Sequence, residues 1–283
     1  MSLEKILTGL ALKVGPLGEN DRLLTLLTYE EGILRIAVPG ARRPKSRLAA
    51  TSALTFLELQ VGGKSNLNLL KARQIKILKS FSNLGEKIET LSAAQSLAEL
   101  SFLLVGNNDP QPQILEAILI HLNRLQKKEI SQLEVLANCV QACTHLLALG
   151  GYGLPMHSCC KSSQELIPPI GNWDWSCSLI ASEGFSIGKN KNSEIILNAS
   201  ELALLQRLLK PELPLKKNGE ILGPFEVWMK LLNIIDLWIQ SHLNQNLNSI
   251  QMLKKVLLFE ANILLKLPIL IEVHYRHNLN LIY

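Results

Sequence analysis

The pattern of hydrophobic and polar residues changes near residue 80 of the 283-residue chain. Before this point, short apolar runs alternate with turn sequences rich in Gly, Pro, Asn and Asp, among them Gly15-Pro16 and Pro39-Gly40. Runs of this length between such turns are typical of β-strands. The pattern therefore predicts strands at residues 5–14, 22–28, 33–38, 54–61 and 67–77.

Short strands in the first 80 residues have few ways to bury their apolar faces. A small closed barrel is one of them, and an OB-type barrel is the commonest choice for a set of five strands. An open meander packed against helices is the alternative that the same spacing allows. We predict the barrel and assign it to residues 1–80.

Beyond residue 80 the apolar residues recur at the spacing of amphipathic helices. Ser131 is followed by Glu134 at the spacing of a capping box, which begins a helix. Gly150-Gly151 ends that helix, because glycine is favoured just past a helix C-terminus. Helices are expected at residues 90–104, 112–127, 132–149, 200–209, 224–242 and 249–267.

A segment of different composition interrupts the helices at residues 155–192. It contains Pro168-Pro169, three of the five cysteines and the sequence Trp173-Asp174-Trp175. We expect an irregular insert there. The predicted fold class is therefore α+β, with a barrel at 1–80, a helical domain whose two parts are 81–154 and 193–283, and the insert between those parts.

Charge is distributed unevenly along the chain, although the net charge is only +5. Residues 1–80 contain 13 Lys and Arg against 6 Asp and Glu, whereas the remaining residues contain 16 against 18. A basic end on a nearly neutral protein indicates a polyanionic partner for that end. A solvated basic face without a partner is the alternative.

The basic residues are densest in the sequence GARRPKSR at residues 40–47, between two predicted strands. This loop contains no acid and places four cations close together: Arg42, Arg43, Lys45 and Arg47. Such cations suit phosphate oxygens, and loops between barrel strands are where nucleic acid docks. Because Tyr29 and Phe56 are the only aromatic residues in 1–80, base stacking is scarce. The loop therefore predicts binding that is led by phosphate contacts, tolerates any base sequence and weakens steeply with salt.

Metal binding is suggested by half of a motif only. His157 and Cys160 form an H-x-x-C pair with the spacing of half a tetrahedral zinc site. The second half is absent, since Cys177 stands alone and no cysteine follows it. We predict a degenerate site without metal.

Other function classes find little support. Five cysteines in a chain of this length do not suggest a disulfide framework, so a reducing cytoplasm is expected. The most apolar stretch, residues 256–273, is interrupted by Glu260, Lys266 and Pro268, so no membrane span is expected. The sequence contains no P-loop, G-x-S-x-G or H-E-x-x-H motif, and we predict neither an enzyme nor a cofactor.

The order of four motifs resembles the RecO family of bacterial recombination mediators over essentially the whole chain. The motifs are GENDR at 18–22, GILR at 32–35, GARRPKSR at 40–47 and LLALGGYG at 146–153. The resemblance implies an N-terminal OB-fold, a helical body and a zinc-finger-like insert. It also implies binding of single- and double-stranded DNA, annealing of complementary strands, partnership with RecR, binding of the C-terminal tail of the single-stranded DNA-binding protein, and loading of RecA.

The resemblance assigns roles to particular residues. DNA contact falls on the four basic residues of the 40–47 loop, with Arg22 and Arg35 as additions. In the insert, His157 and Cys160 stand at the first pair of zinc-ligand positions, and the stretch 183–189 lacks the second pair. We therefore expect the insert to keep its fold through apolar burial of three aromatic residues: Trp173, Trp175 and Phe185.

A site for the acidic, hydrophobic tail of the single-stranded DNA-binding protein requires a cation beside an apolar groove. The candidates are Arg124, Lys127 and Lys128 at the end of a leucine-rich helix, with Lys216 and Lys217 as the alternative.

Two other functions remain open. One is a protein-interaction scaffold whose barrel docks a partner and has little DNA affinity; the other is a metal-dependent nucleic-acid enzyme that uses the insert.

Overall fold

The computed structural model describes residues 4–259 apart from residues 47, 49–50, 65–68 and 192. Its first part is a closed barrel in which β4 pairs with β1 and the strand order is β1-β2-β3-β5-β4. The strands are β1 Lys5–Leu17, β2 Asp21–Thr28, β3 Gly32–Val38, β4 Thr55–Lys64 and β5 Leu70–Ser80. This is the architecture of an OB-fold, so the predicted barrel is confirmed and the open meander is wrong.

Strand β1 is longer than the sequence suggested, because Gly15 and Pro16 do not end it. Beyond Ala11, where the pairing with β4 stops, β1 undergoes a register shift and then pairs with β2 alone as far as Leu17. Among the described residues, no strand pairs with the outer edge of β1 beyond Ala11, and proline is tolerated on such an edge strand. β2 itself stays paired with β3 as far as Arg22, so only the end of β1 lies at the edge of the sheet.

One buried cluster fills the interior of the barrel, and a second cluster joins other barrel side chains to the helical body. Leu10, Leu27, Ile33 and Leu54 belong to the same buried cluster as the apolar faces of the helices. At this junction Gly32 has φ +66°, and a Cβ on it would lie 2.3 Å from the Asp109 carbonyl oxygen. The β2–β3 turn thus approaches the helical body too closely for any side chain.

The helical body agrees with the predicted helices to within about two residues at most ends. After a short 3₁₀ helix, Ser82–Glu86, come α1 Ile88–Leu104, α2 Pro112–Leu125, α3 Gln132–Leu149, α4 Ala199–Arg207, α5 Phe225–Leu243 and α6 at residues 248–259. The capping box at α3 is present: Glu134 N–H donates to Ser131 Oγ at 3.2 Å, and Ser131 N–H donates to Glu134 Oε2 at 2.9 Å. The rest of the helix predicted at 249–267 lies outside the described residues. In the described part of the chain, no helix is long and apolar enough to cross a membrane.

The insert is more regular than predicted. Strands β6 Ser176–Ile180, β7 Gly184–Ile187 and β8 Ile195–Asn198 form a sheet in the order β7-β6-β8. Because β8 pairs with β6, the sheet continues past the predicted boundary at residue 192.

One expectation about what holds the insert together is wrong. Phe185 is fully buried and Trp175 packs against the core, but Trp173 is 92% exposed. Large apolar residues do occur on protein surfaces, and the sequence pattern gave no sign of which Trp faces inward. Leu166, Cys177, Leu179 and Leu197 fill the interior together with Phe185.

Candidate nucleic-acid interface and partner groove

The basic loop that joins β3 to β4 is fixed against the turn of the β1–β2 hairpin. Arg42 N–H donates to the Asn20 carbonyl at 2.9 Å, and Gly40 N–H donates to Asp21 Oδ1 at 2.7 Å. Ala41 is buried in the barrel core, whereas Arg42 and its neighbours are exposed. The loop backbone is therefore anchored while its cations face solvent.

Local hydrogen bonds set the shape of the loop. Arg43 N–H donates to the Gly40 carbonyl at 3.0 Å, and Ser46 N–H donates to the Arg43 carbonyl at 3.3 Å. These two turns place three exposed cationic side chains on consecutive turns of the chain: Arg42, Arg43 and Lys45. Exposed cations on a fixed backbone are suited to phosphate contacts.

The other predicted DNA contacts do not all share this environment. Arg22 is partly buried, and its Nη1 donates to the Thr51 carbonyl at 2.6 Å, so part of its guanidinium holds the chain that follows the loop. Arg35 is exposed on β3, opposite Thr25 of β2. Arg47 lies outside the described residues.

The two aromatic residues of the barrel do not lie beside the basic loop. The Tyr29 and Phe56 rings meet edge to face, with centroids 6.3 Å apart, and both pack against the core shared with the helical body. They belong to the junction of the barrel and the helices. This placement leaves the loop without a stacking platform among the described residues of the barrel.

The insert carries a thiol with an unusually low pKa. Burial raises the pKa of Cys159, but hydrogen bonds from the Ser162 hydroxyl and from backbone amides, including that of Ile187, outweigh burial and lower this pKa to about 7. Burial and the neighbouring Cys159 and Cys160 raise the pKa of Cys177 to about 12. His157 is exposed, and among the described residues no three His, Cys, Asp or Glu side chains form a group that could hold a metal ion.

A second surface feature is an apolar groove in the helical body, between α2, α3 and the segment 208–211. It encloses about 330 Å³ and includes Arg124. Three of its lining side chains are unusually exposed for their type: Ile120 at 52%, Leu149 at 41% and Leu209 at 42%. Exposed apolar side chains beside one cation are typical of a site that binds another protein.

A buried glutamine positions the cation of this groove. Arg124 Nη1 donates to Gln141 Oε1 at 3.0 Å, and Arg124 Nη2 donates to the Pro211 carbonyl at 2.8 Å. Gln141 is fully buried, and its Nε2 donates to the Lys210 and Glu212 carbonyls. Gln141 therefore joins α2, α3 and the 208–212 segment, and it holds one face of the guanidinium.

A pair of histidines forms the floor of the groove. His145 Nε2 donates to the Leu208 carbonyl at 2.7 Å, so its Nδ1 is the acceptor that takes the Nε2–H of His121 at 3.1 Å. This chain requires His145 to be neutral, because its Nδ1 can accept only when it carries no proton. Burial, with smaller contributions from His145 and Arg124, lowers the pKa of His121 to about 3.

The three predicted partner residues do not form one site. Arg124 lies in the groove, but Lys127 and Lys128 line a separate cavity of about 290 Å³, next to Lys87. The physical reason is that α2 ends at Leu125, two residues earlier than predicted, so the two lysines leave the helix. In the alternative pair, Lys216 forms an ion pair with Glu220 at 3.0 Å, and neither Lys216 nor Lys217 lines the groove.

Sequence reasoning missed Gln141 and both histidines of the groove. These side chains act through partners that lie 17 to 71 residues away along the chain. No local motif marks such contacts.

Comparison with known proteins agrees with this architecture. The family model described as recombination protein O N terminal matches residues 1–81, and the one described as recombination protein O C terminal matches residues 85–251. The DNA repair protein RecO of Prochlorococcus marinus (strain MIT 9313) is 53% identical over 262 residues, which cover 91% of this chain and 97% of that protein. That of Synechococcus sp. (strain WH7803) is 52% identical over 261 residues, with 91% and 96% covered. That of Trichodesmium erythraeum (strain IMS101) is 28% identical over 269 residues, with 87% and 92% covered. The chain therefore belongs to the RecO family of DNA repair proteins.

Proposed function

We propose that this chain is a non-enzymatic recombination mediator that binds single- and double-stranded DNA through the phosphate backbone and anneals complementary strands. The observation that carries the proposal is the exposed set Arg42, Arg43 and Lys45 on a loop that the β1–β2 hairpin holds in place. Phosphate contacts fix a strand without reading its sequence. A strand held in this way keeps its base edges available for pairing, which is what annealing requires.

The low content of aromatic residues near the loop supports the same mechanism. Stacking on aromatic rings contributes about 1–3 kcal/mol per base and would compete with base pairing. Tyr29 and Phe56 are packed at the junction with the helices, away from this role. Affinity should thus come mainly from the release of counterions by cationic side chains.

The test is fluorescence anisotropy of labelled oligonucleotides of different base composition, titrated with the protein at several salt concentrations. We expect similar affinities for all sequences, a steep loss of affinity with salt, and faster annealing of complementary strands in a separate quenching assay. An absence of binding at low salt would contradict the proposal. It would favour the alternative function, a protein-interaction scaffold with little DNA affinity.

We also propose that the groove around Arg124 docks the acidic, hydrophobic C-terminal tail of the single-stranded DNA-binding protein. Ile120, Leu149 and Leu209 offer apolar contacts, and Arg124 offers a charge-assisted hydrogen bond to a carboxylate. With a strand on the barrel and this tail on the helical body, the protein would meet both components of a covered strand. RecR would join it there, and RecA would be loaded in the cytoplasm of the bacterium.

A synthetic tail peptide tests the groove directly. Arg124→Ala should weaken peptide binding about tenfold, which corresponds to about 1.4 kcal/mol. Lys128→Ala removes the same charge outside the groove and should leave peptide binding unchanged. Equal losses of peptide affinity in both variants would contradict docking in the groove. Binding of RecR, the remaining partner, is tested separately by co-sedimentation with a cyanobacterial RecR.

A further inference from the structure

Strand β5 presents a basic surface that the loop at residues 40–47 does not account for. Its 11 residues, Leu70–Ser80, contain no acid, and three of its basic side chains are exposed: Arg73, Lys76 and Lys79. Lys71, which is partly buried, adds a fourth cation at the start of the strand. From Lys71 to Lys79 the strand extends about 26 Å at ~3.3 Å per residue.

One edge of β5 is left largely without a partner strand. β4 pairs with β5 along its length, but in the described residues β3 pairs with it only at Leu70 and Lys71. Backbone N–H groups on such an edge add donors that can reach phosphate oxygens. Leu78, at the register shift between Ile77 and Lys79, is 41% exposed and offers an aliphatic contact to an unstacked base.

Opposing charge along this strand is weak. Glu58 on β4 faces Lys76, but the two charged groups are 4.0 Å apart and both side chains are well exposed. Exposed pairs of this kind contribute little free energy and exchange readily for another partner. The β5 surface therefore remains net positive.

The β5 surface connects the basic loop with the helical body. At its start, Lys71 lies opposite Ala37, close to the point where β3 leads into the loop. At its end, Lys79 Nζ donates to Asn123 Oδ1 of α2, and Gln126 Nε2 donates to the Ser80 carbonyl at 3.3 Å. The cavity lined by Lys87, Lys127 and Lys128 lies beside this end, where Glu86 and the ion pair of Lys127 with Glu134 reduce its positive charge.

We propose that β5 is a second DNA-binding surface, along which the phosphate backbone of a single strand passes from the basic loop toward the helical body. The proposal rests on the proposed function, because it needs the strand to be held at the loop. It adds Arg73, Lys76 and Lys79 as phosphate contacts, and Leu78 as a contact to a base. A strand that covers both surfaces is held at more points than one that covers the loop alone.

The test compares two oligonucleotides. One of about 4 nucleotides is at the lower end of the ~4–16 nucleotides that a single OB-fold covers, and one of about 20 nucleotides is longer than this range. We expect the wild type to bind the long strand more tightly and with a steeper salt dependence. The triple variant Arg73→Gln, Lys76→Gln, Lys79→Gln should lose most of this gain. Its slope for the long strand should fall by about 2, since each phosphate contact on a single strand contributes roughly 0.7, while its affinity for the short strand should stay within about twofold.

A control variant carries the same loss of charge elsewhere. Lys189→Gln, Lys191→Gln, Lys217→Gln removes three exposed lysines outside the barrel and should keep the wild-type slope. Thermal unfolding checks that both triple variants are folded. The basic loop is tested apart from β5 by Arg42→Ala with Arg43→Ala, which should weaken binding of the short and the long strand alike.

Two results would overturn the inference while leaving the proposed function intact. The first is a β5 variant that keeps the wild-type slope and the length dependence. The second is a β5 variant that keeps DNA binding but loses binding of RecR, which would make this edge a protein-docking strand. Failure of the wild type to bind either oligonucleotide would instead contradict the proposed function itself.

Discussion

The basic loop of the barrel and the groove of the helical body are built in opposite ways. The loop presents exposed cations on a backbone that is held by neighbours close in sequence or on the adjoining hairpin. The groove presents apolar side chains around one arginine, which a buried glutamine and a distant segment hold in place. Binding at a surface of the first kind tolerates substitutions in the fold but weakens with salt. Binding at a surface of the second kind depends on the packing beneath it.

The largest effect on stability is expected at the junction where the barrel, which carries the loop, packs against the helical body, which carries the groove. Gly32→Ala would place a Cβ 2.3 Å from the Asp109 carbonyl oxygen at a φ of +66°. We expect a loss of about 3 kcal/mol in the free energy of unfolding, from backbone strain and crowding together. Chemical denaturation measures it.

Gly18→Ala is the matched control for this prediction. Gly18 has φ +62°, but nothing lies within 4 Å of an added Cβ. It should therefore lose only the part due to strain, about 1 kcal/mol. Equal losses of stability in the two variants would show that the close contact with the helical body is not the reason that position 32 requires glycine.

The next largest effect on stability is expected in the groove, from a substitution that should leave DNA binding by the loop unchanged. Gln141→Leu removes the partner of Arg124 and leaves the Lys210 and Glu212 carbonyls without this donor. We expect a loss of about 2 kcal/mol of stability and weaker binding of the tail peptide, because unsatisfied buried groups cost about 1–3 kcal/mol. The salt slope for DNA should not change.

Gln113→Leu on the exposed side of α2 serves as the control and should be nearly neutral in both assays. If Gln141→Leu changed the DNA slope as much as the peptide affinity, the two surfaces would not be independent.

Acid should weaken the groove before it weakens the loop. The unfolded chain takes up protons at His121 as the pH falls below about 6.5, whereas the folded chain does not until its pKa of about 3. Stability contributed by the neutral pair is therefore complete above pH 6.5 and is lost progressively toward pH 3. Between pH 6.5 and pH 5 we expect a loss of about 2 kcal/mol, at 1.36 kcal/mol per pH unit.

Denaturation curves at several pH values measure this loss. His121→Gln removes the titrating ring but can still donate to His145, so its stability should change less over the same interval. A wild-type protein with the same stability at pH 6.5 and pH 5 would contradict the neutral histidine pair.

The smallest effect on stability is expected at the loop. Arg42→Ala with Arg43→Ala removes exposed side chains whose contacts are few; the main one is Arg42 Nη1 to the Gly18 carbonyl at 3.0 Å. The free energy of unfolding should change by less than about 0.5 kcal/mol. A larger loss would mean that these arginines serve the fold of the hairpin, and a thermal melt decides it.

The contrast between the two surfaces also explains what the sequence could predict. The barrel strands, the basic loop and the Ser131–Glu134 capping box were predictable because turn residues and cap spacing are local signals. The groove was not, since Arg124 meets Gln141 and Pro211 only after the chain has folded. Lys127 and Lys128 were grouped with Arg124 because they adjoin it in sequence, but the end of α2 at Leu125 separates them. The exposed position of Trp173 likewise depends on the sheet of the insert, which the hydrophobic pattern of the sequence did not predict.

If Arg42 and Arg43 contact DNA phosphates and do not support the fold, their removal should change DNA binding but not stability. The most direct test of these contacts is the salt dependence of binding to a labelled single strand, for the wild type, for Arg42→Ala with Arg43→Ala, and for Lys189→Ala with Lys191→Ala as the control. We expect a slope lower by about 1.4 in the loop variant, from two contacts at roughly 0.7 each, and an unchanged slope in the control. Equal slopes in all three proteins would contradict these contacts.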